Sequence, residues 1–187
     1  MSAAARDGVR YGLFKTPWGW CAAAGTARGT CALVLPQVLP EPAEREVLSR
    51  CPDARREDRA FATLAEAVEK YFDGWTVALE ILPVDLSAGT LFQQRVWTLT
   101  RRIPYGRVRS YRWIGLEMGR PEAARAIGAA LGANPVPLLV PCHRVVAEDG
   151  HLGGFSAEGG VETKARLLGL EGARFLGDGP ARRVAGG

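Results

Sequence analysis

The sequence predicts an α/β amino-terminal domain, residues 1–88, followed by a mostly helical carboxyl-terminal domain, residues 89–187. Two observations support this division. Short apolar segments with the alternating pattern of strands fill the first part of the chain and are followed by one strongly amphipathic helix. After a linker at Pro83–Gly89 the apolar spacing becomes that of short helices. The chain of 187 residues is long enough to bury a real core.

The amino-terminal domain is expected to contain a small antiparallel sheet and a helix. Thr16-Pro17 and a glycine turn at 25–29 separate its first strands, and Gly74 stands where a C-cap glycine would end the helix. The predicted elements are strands over 11–15, 18–24 and 30–35, a proline-rich loop over 36–42, a helix over 58–72 and a strand over 76–82.

The carboxyl-terminal domain is expected to be built on short helices. Ser110 is placed to cap one helix, and Pro121 is placed at the start of the next, after a tight glycine turn. Two such helices are typical of a helix-turn-helix. The predicted elements are helices over 90–103, 110–118, 122–133 and 161–168, a short strand over 138–140, and a disordered tail from Gly177.

The composition is that of a mildly basic globular protein. The formal net charge is +4 and the sequence pI is about 9.1, which permits nucleic-acid binding without requiring it. No apolar run approaches the ~18–20 residues of a membrane-spanning helix. Residues 1–9 lack the apolar segment of a signal peptide. We therefore expect a cytoplasmic protein with no membrane partner.

The four cysteines do not form a metal-binding pattern. They are Cys21, Cys31, Cys51 and Cys142, with no CxxC pair among them, and the chain has only two histidines. Structural zinc sites need clustered Cys and His ligands. We expect reduced thiols, no metal and no cofactor; the alternative is a zinc site in which Cys21 and Cys31 approach each other across a hairpin.

The second helix of the predicted pair is unusual for a helix that reads DNA. It carries a single arginine, Arg125, among alanines and glycines over 122–131. A helix that reads base edges usually presents several long polar side chains. Small residues favour either tight packing against a neighbouring helix or close, sequence-tolerant contact with DNA, and both interpretations stay open.

The segment Pro137–Val146 contains the two residues best suited to nucleophilic chemistry. Cys142 and His143 are adjacent, and an imidazole can lower the pKa of a thiol or take its proton. Neighbouring residues on an extended strand point to opposite faces, so the pair requires a bridging water or a turn at Pro141. The alternative is a buried, inert cysteine.

These motifs resemble those of the 6-O-alkylguanine-DNA alkyltransferases, also called methylated-DNA–protein-cysteine methyltransferases. The family signature Pro-Cys-His-Arg-Val stands at 141–145. The amino-terminal half matches weakly, mainly through Thr16-Pro17-Trp18-Gly19. Further matching segments are Phe92–Trp97, Ile103–Gly106, Ser110-Tyr111, Ala123–Ala126 and Asn134-Pro135.

The resemblance implies a fold and an activity. It implies a ribonuclease H-like amino-terminal domain and a winged-helix-like carboxyl-terminal domain with a helix-turn-helix. It implies single-turnover repair, in which an alkyl group moves from the 6-oxygen of guanine, or the 4-oxygen of thymine, to Cys142. The implied partner is double-stranded DNA containing alkylated guanine, bound by a monomer through the minor groove with the target base flipped out.

The resemblance also implies roles for individual residues. Cys142 is the acceptor, His143 takes its proton through a water, Glu171 orients His143, and Tyr111 donates a hydrogen bond to the guanine ring. Arg144 is expected in a structural ion pair. The implied guanine-binding residues are Asn134, which braces the turn, Ser156, which offers its backbone N–H, and Val145, Leu131 and Pro137. The implied DNA contacts are Arg125, which replaces the extruded nucleotide, and Ser110, Ala123, Ala124, Ala126 and Ala129.

The chain departs from the simplest family pattern at the implied pocket rim. Phe155 stands where a tyrosine is common, and Ala157-Glu158 are two extra residues. Three other functions compete with repair: a non-enzymatic lesion sensor of the same fold, a transcription regulator that uses the helix-turn-helix, and a cysteine hydrolase. Lesion sensors of this fold lack the cysteine, whereas Cys142 is present here. The predicted recognition helix also lacks the base-reading side chains that a transcription regulator would use. The third would turn over repeatedly on an acyl substrate.

Overall fold

The computed structural model describes residues 8–157, 159–175 and 182–183, the last two and 174–175 by backbone alone. The described residues form two compact units. The first comprises 8–88 with 135–137, and the second comprises 89–134 with the described residues from 138 onward. Within the described residues, no helix is both long and apolar enough to cross a membrane.

The first unit is a four-stranded sheet with helices. The strand order is β3-β2-β1-β4, antiparallel except for β4, which pairs parallel with β1. Alternating apolar residues of the sheet pack against the buried side of the first helix. The elements are β1 (Arg10–Thr16), β2 (Gly19–Thr26), β3 (Gly29–Gln37), α1 (Pro40–Arg50), β4 (Arg55–Arg56), a 3-10 turn (Asp58–Phe61), α2 (Ala62–Phe72) and a 3-10 turn (Leu79–Ile81).

Two predictions for the first unit are wrong. The proline-rich loop over 36–42 is the end of β3 followed by α1, because Pro40 occupies the first turn of that helix, where no N–H is needed. The strand over 76–82 is a short 3-10 turn in which Leu79 is buried and Ile81 is exposed. The alternating apolar residues of this segment therefore do not lie on a single buried face.

The second unit is mostly helical with a small sheet of order β6-β5-β7-β8. Trp97 Nε1 donates to the Ala130 carbonyl oxygen at 2.8 Å and ties the third and fifth helices together. The elements are α3 (Leu91–Thr100), β5 (Arg107–Ser110), α4 (Tyr111–Glu117), α5 (Ala124–Gly132), a 3-10 turn (Cys142–Arg144), β6 (Val145–Val146), α6 (Gly160–Leu170), β7 (Arg174–Phe175) and β8 (Arg182–Arg183).

Local signals placed most helix starts in the second unit. Thr90 and Gln93 form a capping box at α3, and the Ser110 hydroxyl accepts from the backbone N–H of Trp113 at α4. Pro121 does not begin α5, because a turn through Ala123 delays the helix to Ala124.

Two predictions of irregular or extended structure in the second unit also need correction. The strand predicted over 138–140 is wrong, because Leu138, at φ 70°, and Leu139 form a turn and leave Val140 as a single bridge residue. Of the tail predicted to be disordered from Gly177, only 182–183 are described, and there the prediction is wrong because they pair with β7. The rest of that tail lies outside the described residues.

Candidate active site

Cys142 lies at the start of a 3-10 turn rather than on an extended strand. Its backbone N–H donates to the Val140 carbonyl oxygen at 2.8 Å, and the N–H of Arg144 donates to the Pro141 carbonyl oxygen at 2.9 Å. The turn removes the opposite-face geometry that an extended Cys142-His143 pair would have. The turn required at Pro141 is therefore present.

Asn134 holds this turn from the end of α5. Its Nδ2 donates to the Val140 carbonyl oxygen at 2.8 Å and to Cys142 Sγ at 3.2 Å. The first bond braces the chain leading into the cysteine, as the sequence analysis expected of Asn134. The second bond supplies a donor to the sulfur, and it is stronger to a thiolate than to a thiol.

His143 and Glu171 form a buried pair. His143 Nε2 lies 2.8 Å from Glu171 Oε1, and the side chains are 1% and 0% exposed. Arg144 Nε lies 3.0 Å from Glu171 Oε2, and the backbone N–H of Gly106 donates to the same oxygen at 3.0 Å. Arg144 also donates to the Ile103 carbonyl oxygen at 2.8 Å. The carboxylate is thus saturated with donors.

The charges of these groups follow from their neighbours. Burial alone would raise the pKa of Glu171, but the charges and hydrogen bonds of His143 and Arg144 outweigh it and hold the pKa at about 2. Burial lowers the pKa of His143, although Glu171 opposes that shift. At neutral pH the pair is therefore an ionised carboxylate and a neutral imidazole.

The tautomer of His143 follows from this assignment. A neutral imidazole beside a carboxylate places its proton on the nitrogen that faces the carboxylate, here Nε2. The lone pair then lies on Nδ1, which is buried without a hydrogen-bond partner in the described part of the chain. Nδ1 is the atom of His143 that can accept a proton.

The Cys142 thiol is held between opposing influences. Burial raises its pKa, while the Asn134 hydrogen bond, the charge of Lys164 and the backbone N–H groups of Cys142 and His143 lower it. The net shift is upward, so the thiol is protonated at rest. Its surroundings nevertheless favour the thiolate once a base removes the proton.

Lys164 is a further residue of the candidate site that the sequence did not indicate. Its side chain is 1% exposed, and Nζ donates to the carbonyl oxygens of Val145, at 2.6 Å, and Leu152. Nζ also lies 6.0 Å from the centroid of the Tyr111 ring. Burial lowers the pKa of Lys164 to about 8. A lysine on the same helical face as Leu167 and Leu168 was the available signal.

Tyr111 and the loop after the turn stand close together. Burial raises the pKa of Tyr111, which keeps its hydroxyl protonated and able to donate. Gly153 adopts φ +66°, and a Cβ there would lie 2.9 Å from the Tyr111 hydroxyl oxygen, so a larger residue would collide with it. The Ser156 hydroxyl donates to the Gly132 carbonyl oxygen at 2.9 Å, and the contact of its backbone N–H with guanine stays a prediction.

The remaining residues predicted to bind guanine are partly placed. Val145 and Leu131 are buried in the second unit. Pro137 is buried and belongs to the first unit, and its role in a guanine pocket stays a prediction. Glu158, the second inserted residue, lies outside the described residues.

The residues of α5 that were predicted to contact DNA are exposed or partly exposed, and the contact itself stays a prediction. Ile127, Ala130 and Leu131 form its buried face. Ala123 is partly exposed, and the exposed residues are Ala124, Arg125, Ala126 and Ala129. Tight helix packing therefore does not account for these alanines. Ser110 is buried and its hydroxyl caps α4, so its contact with DNA stays a prediction.

Metal binding finds no support in the described ranges, where no three His, Cys, Asp or Glu side chains lie close enough to hold an ion. The approach of Cys21 to Cys31 is wrong. Cys21 lies in β2 between Trp20, which pairs with Gln37, and Ala22, which pairs with Val34. Cys31 lies near the opposite end of β3, so the register keeps the two thiols apart.

Comparison with known proteins gave family matches over most of the chain. A model described as "6-O-methylguanine DNA methyltransferase, DNA binding domain" matches residues 91–173. A second, described as "6-O-methylguanine DNA methyltransferase, ribonuclease-like domain", matches residues 9–86. Together they span both compact units.

Individual relatives agree with the family matches. The regulatory protein ada of Salmonella typhimurium is 39% identical over 86% of this chain, which spans 44% of that protein. A methylated-DNA–protein-cysteine methyltransferase of Mycolicibacterium paratuberculosis is 46% identical over 60% of this chain, which spans 66% of that protein. The crystal structure of Mycobacterium tuberculosis OGT in complex with DNA superposes with a TM-score of 0.69 at 36% identity, covering 87% of this chain and 92% of that one.

Proposed function

The chain belongs to the 6-O-methylguanine DNA methyltransferase family, and from that premise we propose that it is a methylated-DNA–protein-cysteine methyltransferase that repairs guanine by accepting the alkyl group on Cys142. The observation that carries the proposal is that Asn134 donates to the sulfur of Cys142 while the adjacent His143 pairs with the buried Glu171. It provides a nucleophile, a donor to its sulfur, a base and a group that orients the base.

The proton of Cys142 has a defined destination in this proposal. The thiol is protonated at rest, and the neutral His143 offers the lone pair of Nδ1. One bridging water carries the proton from Sγ to Nδ1. The imidazolium is then stabilised by Glu171, which stays ionised because Arg144 and the Gly106 N–H hold its charge.

The alkyl transfer is a single displacement. The Cys142 sulfur forms a bond to the alkyl carbon as the bond from that carbon to the guanine 6-oxygen breaks, and the electron pair passes into the base. Tyr111 donates a hydrogen bond to the guanine ring, where negative charge develops. Lys164 and Asn134 favour the thiolate that attacks. We extend the same proposal to the 4-oxygen of thymine as a second substrate.

DNA binding is assigned to α4 and α5 as a helix-turn-helix. Small exposed side chains on α5 would allow close approach to the minor groove, and Arg125 would fill the stack left by the flipped nucleotide. Phosphate contacts rather than base contacts would dominate, which suits a monomer that searches DNA for damage at any sequence. Cytoplasmic location remains a prediction.

The proposal requires that each molecule react once. The product is a thioether, which lacks the electrophilic carbonyl that lets water release an acyl-enzyme. Incubation with excess DNA containing 6-O-methylguanine should yield product equal to active protein and then stop. The tryptic peptide at 126–144, which contains Cys142, should gain the mass of one methylene.

The same measurement separates repair from hydrolysis. A Cys-His-Glu arrangement also occurs in hydrolases, so an ester substrate should be tested in parallel. Product beyond one equivalent per protein, or sustained ester turnover, would refute the assignment. A methylene on a peptide that holds Cys21, Cys31 or Cys51 would refute the choice of acceptor.

A further inference from the structure

β3 contains an extra residue at Cys31. Ala24 of β2 pairs with Ala32 and Gly25 pairs with Thr30, so the register shifts at Cys31. Such a bulge changes the direction of a side chain. In a regular strand Cys31 and Ala32 would point to opposite faces, yet both belong to the apolar cluster that α1 covers. The bulge therefore brings the Cys31 thiol to the helical side of the sheet.

Cys51 meets Cys31 from the end of α1. It is the C-cap residue of that helix, and its backbone N–H donates to the Val47 carbonyl oxygen at 2.9 Å. Its side chain packs on the same apolar cluster. The thiols of Cys31 and Cys51 are hydrogen-bonded to each other, and both residues are partly exposed.

We propose that Cys31 and Cys51 are a reversible disulfide site that links β3 to the carboxyl end of α1 when the protein meets a low-molecular-weight disulfide. The two thiols lie within hydrogen-bonding reach of each other, and both residues are partly exposed. Cys21 differs on both points, because it is 1% exposed and its thiol bonds to Thr16. The site lies within the first unit and is separate from the chemistry of Cys142.

The exchange takes place in two steps. The Cys51 thiolate attacks glutathione disulfide, the reagent S–S bond breaks, and one glutathione thiolate leaves. Cys31 then loses its proton and attacks Cys51 Sγ, which releases the second glutathione. The hydrogen bond to Cys51 and burial raise the pKa of Cys31. Because a raised pKa disfavours its attack on the external reagent, we assign Cys31 as the resolving thiol. Two electrons pass from the protein to the reagent, and two protons are lost.

The test uses the full chain under native conditions. The protein is incubated with glutathione disulfide, remaining thiols are blocked, and the chain is digested with trypsin without reductant. Before the remaining thiols are blocked, the intact mass of the disulfide-containing chain should be lower by two hydrogens. Peptides 29–45 and 51–55 should appear joined, and dithiothreitol should separate them. This pair should exceed any other cysteine pair by roughly tenfold, because its thiols are already in contact.

Serine variants complete the test. Cys51→Ser should eliminate the joined peptides, whereas Cys21→Ser, the matched control, should leave them unchanged. The proposal fails if the native chain accumulates a stable glutathione adduct on Cys51 without joined peptides. It also fails if the joined peptides form only after unfolding in urea. Both results come from the unmodified chain, so they hold even if a serine variant does not fold.

Discussion

The two units bury charged side chains to different extents. In the described residues of the first unit, Asp85 is the buried charged group, and its ion-pair partner Arg28 is 62% exposed at the side chain. In the second unit Glu171, Arg144 and Lys164 are buried together with His143. Burying charges is costly unless each is paired and hydrogen-bonded. Burying three charged side chains therefore costs the second unit more stability than the single buried carboxylate costs the first.

The buried cysteines of the two units, Cys21 and Cys142, differ in the polar groups that surround their thiols. Burial raises the pKa of Cys21 to about 12, with only a Thr16 hydrogen bond opposing it. Burial also raises the pKa of Cys142, but an amide, a lysine and two backbone N–H groups oppose it. Cys21 therefore behaves as a small apolar residue. Cys142 instead has several neighbours that stabilise its thiolate and offset part of the effect of burial.

The largest expected effect comes from exchanging each of these cysteines for alanine. Cys142→Ala should abolish alkyl transfer while DNA affinity stays within about threefold, because we expect phosphate contacts to supply most of the binding. Cys21→Ala, the matched control, should transfer at a rate within about twofold of the unmodified chain, because it removes no polar neighbour of Cys142. Transfer is measured with radiolabelled methylated DNA. Residual transfer by Cys142→Ala at a comparable rate would contradict the acceptor assignment.

A smaller effect is expected from neutralising one buried carboxylate in each unit. Glu171→Gln removes the partner of His143 and leaves Arg144 without its counter-charge. The single-turnover rate constant should fall about 100-fold, as for loss of general-base function. The second unit should also lose about 3 kcal/mol of unfolding free energy. Rapid-quench kinetics and denaturant unfolding measure the two effects.

Asp85→Asn is the matched control for that change. Its partner Arg28 is mostly exposed, and an asparagine can still accept hydrogen bonds from Thr26 or Ser87, so the loss of stability should be about 1 kcal/mol. Its transfer rate should equal that of the unmodified chain. Equal rates for Glu171→Gln and Asp85→Asn would show that the buried charges of the second unit serve folding alone.

The smallest effect is expected on the exposed surfaces. Arg125→Ala should slow repair of duplex DNA by roughly tenfold while leaving reaction with free 6-O-methylguanine unchanged, because a free base needs no flipping. Arg45→Ala, an exposed arginine on α1 of the first unit, is the matched control and should change neither reaction. Equal slowing of both reactions by Arg125→Ala would refute the role in base flipping.

Local patterns in the sequence determined much of the secondary structure. The first three strands, the helix ending at Phe72 and the caps at Thr90 and Ser110 are confirmed, because alternation and capping depend on neighbouring residues. The segments that became α1 and the 3-10 turn at Leu79–Ile81 were predicted wrongly. Their form depends on which side chains the sheet covers, and a local window does not contain that information.

The candidate site also combines features that the sequence predicted with features that only the structure shows. The sequence by itself placed Cys142 beside His143, and its family resemblance pointed to Glu171. Only the tertiary structure decided that Arg144 holds the charge of Glu171 and that Lys164 is buried near the thiol. Burial and distant partners determine the pKa of each group. Neither burial nor distant partners can be predicted from neighbouring residues, because residues far apart in sequence supply the charges that act on Cys142.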